Sequence, residues 1–156
     1  MRQTIDLHEQ VRVPCWRACA LLELEADAIV RPAMDELRVG VGGSELTRKV
    51  HSEVGPLVSL DRAARLRLQW HAEQHPEWFP AVDAELEFAP AHTGSDATDI
   101  HLTGSYEPPL GRLGALGDRV VGRRLAEQSL REFLAGVARR LADELAHHHG
   151  TGPRPN

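Results

Sequence analysis

Two acids and two arginines fall at positions where strand alternation or helical winding turns them toward a protein interior. Glu9 shares a phase with Ile5, Leu7, Val11 and Val13, and Arg48 takes the inward phase of a later strand pattern. Arg123 and Glu127, one turn apart, lie within the apolar stripe of a long C-terminal helical pattern. A charge in a low-dielectric interior is costly unless it is paired, hydrated or bound to a ligand. Such groups could anchor an otherwise apolar molecule, an arginine polarising its carbonyl and a carboxylate moving a proton. The competing reading makes Arg123 and Glu127 a helix-surface pair worth about 0.2–0.5 kcal/mol. A bulge in the first strand would likewise turn Glu9 to solvent. Tyr106, the only tyrosine, ends the last strand; its phenol could hydrogen-bond a ligand or simply plug the end of a core.

Other chemistries find less support. Among nine histidines, His51, His71 and His101 take the polar faces of three strands, where nothing supplies the remaining ligands of a metal site. His147-His148-His149 is a terminal run. Cys15 and Cys19 share a helix face but lack two further zinc ligands, and they read as small apolar packing. No serine stands in a G-x-S-x-G context, and the glycines from Gly111 to Gly117 lack the Lys-Ser/Thr pair of a phosphate cradle. No metal and no cofactor is expected. A net charge of −5 without a basic cluster argues against nucleic acid. No apolar run approaches the roughly 20 residues of a membrane span, and the first residues lack a secretory core, so a cytoplasmic protein is expected.

The elements that must position these residues are strands first and a helix last. Alternating runs over 5–13, 37–41, 46–54, 57–60, 65–73, 82–88 and 98–104 predict seven strands joined by short polar turns. Short connections imply an antiparallel sheet with one buried face, lined by Leu68, Trp70, Leu86, Phe88, Ile100 and Leu102, with Ser52 and Thr98 as inward polar groups. Cys15 to Met34 reads as one or two short helices, because Pro32 makes an unbroken helix unfavourable. Trp78-Phe79 lies in a proline-flanked loop and could gate a site or contact a partner. From Asp118 to Ala146 the stripe Val120, Leu130, Leu134, Val137, Ala138, Leu141 and Leu145 predicts a helix of about 40 Å. The fold class is α+β in one domain, residues 1–146, with a C-terminal tail over 147–156.

This order of strand, helical pair, six strands and long C-terminal helix resembles the START-like, or SRPBCC, superfamily with its helix-grip fold. The stretch Leu102-Thr103-Gly104-Ser105-Tyr106-Glu107-Pro108-Pro109-Leu110-Gly111 is similar to the end of the last strand in its bacterial members. So are Arg123-Arg124-Leu125-Ala126-Glu127 and Arg131-Glu132-Phe133-Leu134. The resemblance covers about residues 3 to 146 and carries no catalytic signature. It implies a curved sheet wrapped around the C-terminal helix, with a cavity between them for a hydrophobic small molecule, lipid-like or polyketide-like. Glu9, Arg48, Trp70, Phe88, Ile100, Tyr106, Val120, Arg123 and Glu127 would line it. A polyketide aromatase/cyclase-like enzyme and a protein-interaction domain are the alternatives, and a homodimer stays open.

Overall fold

The structure, a computed structural model, describes residues 2–35, 39–41, 44–46, 50–72, 81–92, 96–107 and 119–148. For 39–41, 44–46, 50, 72, 119–122 and 125 it describes the backbone alone. In chain order the elements are β1 (Gln3–Val11), α1 (Cys15–Asp35), β2 (Val39–Val41), β3 (Ser44–Leu46), β4 (Val50–Val54) and β5 (Val58–Ser59). They continue with β6 (Ala64–Ala72), β7 (Ala81–Pro90), β8 (Thr98–Glu107) and α2 (Arg119–His147).

Six strands form one antiparallel sheet in the order β1-β8-β7-β6-β4, with β5 also paired to β6, while β2 and β3 form a separate hairpin. Among the described residues, a six-stranded sheet and a two-stranded hairpin stand where seven strands in one sheet are expected. The run expected over 46–54 begins in β3 and resumes in β4. β4 and β5 follow the same edge of β6: Val54 faces Leu68 and Val58 faces Arg65, so four steps on one strand meet three on the other. That extra residue is a bulge. Gly55 sits in it, its N–H donating to the Arg67 carbonyl at 2.8 Å, close enough that a Cβ would approach that oxygen to 3.2 Å.

Alternation sorts the sheet faces as the period of two requires. Ile5, Leu7 and Val11, Leu66, Leu68 and Trp70, Val82, Ala84, Leu86 and Phe88, and Thr98, Ile100, Leu102 and Tyr106 are buried. Against them α2 lays Ala126, Leu130, Phe133, Leu134, Val137, Ala138, Leu141 and Leu145. Burying each such leucine or phenylalanine contributes about 1.5–3 kcal/mol. Phe133, on the helix stripe beside Leu130 and Val137, packs its ring 5.5 Å from that of Trp70.

α1 bends, but not at its proline. Glu25 leaves helical geometry (φ −137°, ψ 27°), whereas Pro32 lies within the second segment, three residues before its end. There the missing N–H removes a single intrahelical bond. The bend lets both segments turn an apolar face to the core, Cys15, Ala18, Leu21 and Leu22 before it and Ile29, Val30, Ala33 and Met34 after it. The Pro14 carbonyl accepts the N–H groups of Arg17 and Ala18 and so begins the helix. Thr98 Oγ1 donates to the Val13 carbonyl at 2.7 Å, fixing the β1–α1 corner to β8. No helix among the described residues is long and apolar enough to cross a membrane. The Trp78-Phe79 loop lies outside the described residues.

Candidate functional site

Cross-strand register decides which of the expected residues meet. One row across the inner face reads Gln3, Tyr106, Val82, Trp70 and Ser52. Tyr106 is buried, and its hydroxyl donates to Gln3 Oε1 at 2.8 Å. Burial pushes its phenol above the ordinary range; the Glu127 carboxylate pushes the same way and Arg123 opposes it. The first described turns of α2 thus stand over this row. Arg123 Nε donates to Glu127 Oε1 at 3.2 Å, and the two side chains are 63% and 42% exposed. The pair is of the helix-surface kind, largely in solvent, yet close enough to Tyr106 to act on its charge.

Glu9 belongs elsewhere. It keeps the inward phase, half-buried, with no bulge turning it out, in the row Glu9, Ile100, Phe88, Ala64 and Ser59. Six residues of strand separate it from Gln3 in the Tyr106 row, about 20 Å at the strand rise. The structure therefore does not bring Glu9 opposite Arg123 and Glu127. Trp70, Phe88 and Ile100 are inward as expected, but as packed core. Arg48 and the Val120 side chain lie outside the described residues. Ser52 is half-buried, and Arg31 donates to its carbonyl at 3.1 Å and its hydroxyl at 3.4 Å.

The Glu9 end of the sheet opens onto a cleft that sequence reasoning did not find. It measures about 560 Å³ and lies between the start of α1, the β5–β6 turn and Pro90. Trp16, 74% exposed, and Leu60 supply its large apolar surface, with Ala20 and Ala63 beside them. Glu23 accepts a hydrogen bond from Ser59 Oγ at 2.8 Å and joins helix to turn. Cys15 and Cys19, both free, reach the cleft with their sulfurs 3.6 Å apart, and Cys15 Sγ donates to the Arg62 carbonyl at 3.4 Å. Burial, then the Cys15 contact and the Glu23 charge, push the Cys19 thiol up to about 12. The cysteines are small packing groups, as expected, but they also form part of a cleft wall. An exposed tryptophan at the first turn of a helix was the available signal; its partner surface comes from 43 residues further along the chain and could not be placed.

The outer face of the sheet holds a second cluster. His8 and His101 face each other across β1 and β8, their rings stacked 3.9 Å apart at 10°. His8 Nδ1 lies 3.0 Å from Asp99 Oδ2, and His101 Nε2 lies 2.8 Å from Asp6 Oδ1. His51 and His71 are also cross-strand neighbours, with ring centroids 5.1 Å apart.

No protein-family model matches the sequence, and no curated protein matches it either. Solved structures do. A conserved protein from Geobacillus kaustophilus is 12% identical, covering 90% of this chain and 96% of its own, at a TM-score of 0.54. A Thalictrum flavum norcoclaurine synthase point mutant, in complex with a transition-state analogue, is 10% identical over 93% and 97%, at 0.51. An aromatase/cyclase from Streptomyces is 12% identical over 93% and 96%, at the lower TM-score of 0.47. At such identities the likeness is one of fold. With the open antiparallel sheet, the two helices among the described residues and the C-terminal place of α2, it is consistent with a helix-grip fold.

Proposed function

We propose that this is a START-like protein that binds a small, largely apolar molecule, lipid-like or polyketide-like, and takes it up at the α1 cleft. One observation carries the reading: a concavity of about 560 Å³ faced by the exposed ring of Trp16 and by Leu60, with Glu23, Ser59, Asp61 and Arg62 at its polar side. Ligand sites are usually of this size, mostly apolar with a few polar groups that fix orientation. The described part of the space between sheet and α2 offers less, because Trp70, Phe133, Leu130, Leu134 and Val137 fill it.

A second reading keeps the ligand at the start of α2, and the meeting of Tyr106, Gln3, Arg123 and Glu127 favours it. Cyclase-like catalysis would belong to that end, with Arg123 polarising a carbonyl and Glu127 moving a proton. The Arg123–Glu127 pair is exposed and screened, which supports binding before catalysis. A cytoplasmic setting fits either reading.

Native mass spectrometry of protein from its own host, followed by titration with the apolar fluorophore 1-anilinonaphthalene-8-sulfonate, separates them. Trp16→Ala and Leu60→Ser are expected to weaken probe binding at least about tenfold, each large apolar contact being worth 1.5–3 kcal/mol. Loss on Tyr106→Phe or Glu127→Gln instead would move the site to α2. A wild-type protein that carries no ligand and takes up no probe would defeat both.

A further inference from the structure

The outer sheet face carries the same tripeptide pattern twice, Asp6-Leu7-His8 on β1 and Asp99-Ile100-His101 on β8. Antiparallel pairing sets His8 opposite His101, so the two aspartates fall at opposite diagonal corners, beside Thr103 and Gln10 respectively. Each aspartate then reaches the histidine of the other strand, Asp99 to His8 at 3.0 Å and Asp6 to His101 at 2.8 Å. Asp6 Oδ1 also lies 3.6 Å from His8 Nε2, so one carboxylate oxygen stands between the two Nε2 atoms. On the far side of His101 its β7 neighbour is Glu87, whose carboxylate faces Arg65 at 3.4 Å.

We propose that Asp6, His8 and His101 bind a divalent transition-metal ion of the zinc class, with Asp99 as a positioning residue behind His8. Donor atoms from the three side chains already lie within 4.8 Å of one another. Tetrahedral zinc with bonds of about 2.0–2.1 Å needs donors about 3.3 Å apart, a change that side-chain rotation can supply on an exposed face. Imidazole with carboxylate is a donor set that suits zinc. With His8 Nδ1–H donating to Asp99, the lone pair of His8 falls on Nε2, toward Asp6; this is the carboxylate–histidine–metal arrangement that fixes ring orientation. At His101 the ion replaces the proton shared between Nε2 and Asp6, which passes to Nδ1 or to water. Three protein ligands leave a coordination position facing solvent, open to water or to an anionic group. The site lies on the opposite face of the sheet from the buried core and owes nothing to the apolar cleft.

Zinc titrated into the full chain by isothermal titration calorimetry tests the site. Glu25, Glu144 and His148 also bring donors within 4.8 Å of one another, so His148→Ala serves as the control for the C-terminal end. The expected result is a one-ion isotherm that persists in His148→Ala and is lost in His8→Gln and in His101→Gln, with circular dichroism unchanged. Asp99→Asn should weaken binding by about 10–100-fold. Absence of binding, or binding that disappears with His148→Ala and survives His8→Gln, overturns the site. Unaltered affinity in Asp99→Asn overturns the positioning role.

Discussion

Cys19 shows how a residue's surroundings decide its chemistry. Two cysteines facing a cleft invite the idea of a reactive pair, yet the thiolate is the nucleophile, and Cys19 is held as thiol by burial, by Cys15 and by the Glu23 charge. With its thiol pushed up to about 12, alkylation by iodoacetamide at pH 8 is expected to run on the order of a hundredfold slower than for a free cysteine. Raising the pH should recover the rate; peptide mapping after timed labelling reads it. Labelling as fast as a free thiol would contradict the packing around α1. At this scale the sequence was informative about kind and silent about company. Inward phase identified Glu9, Trp70, Phe88, Ile100 and Tyr106, because a half-buried strand writes its face into every second residue. Which of them meet depends on pairing between β1 and β8, about a hundred residues apart, and no local pattern encodes that. The meeting of Asp6 and His8 with Asp99 and His101 was not legible for the same reason.

Among the elements, β8 carries the tightest constraint. Gly104 lies on the inner phase between Leu102 and Tyr106, paired with Ile5 on one side and Ala84 on the other, with φ at 156°. A Cβ there would meet the Asp83 carbonyl oxygen at 2.3 Å and Ala84 Cα at 2.6 Å, both backbone atoms that cannot rotate away. Gly104→Ala is therefore expected to cost about 1–3 kcal/mol or more, read as a fall in the urea midpoint. A neutral result would mean that β7 and β8 are further apart than described. The α2 helix was legible to within a residue at each end, since a long 3.6-residue stripe leaves little freedom, although the stripe as read from the sequence omits the buried Phe133. The bend of α1 was not legible. Pro32 was the only local reason to break the helix, and the chain bends at Glu25 instead, which is a tertiary choice.

For the whole molecule, acid sensitivity follows from two paired carboxylates. Arg67 hydrogen-bonds Asp83 at 3.0 and 2.9 Å, and Arg31 hydrogen-bonds Asp27 at 2.7–3.1 Å; each arginine holds its partner's carboxyl below the usual range. A depressed carboxyl adds stability that is complete above its unfolded value and is lost as pH falls through its folded one. The urea midpoint should drop between about pH 5 and pH 2, and the drop should be shallower in an Asp27→Asn, Asp83→Asn double variant. High salt should narrow the difference, because both pairs are exposed. An identical acid limb in the double variant would count against the pairs. The broken edge formed by β4 and β5 bears on self-association. An open sheet offers its outer strands as templates for a strand from another molecule. Here that ladder stops at Gly55, whose N–H is already turned inward to Arg67, and at Pro56, which has no N–H to give. An invading strand would find five residues of β4 and two of β5 out of step with each other, too short and too discontinuous to seed a fibril.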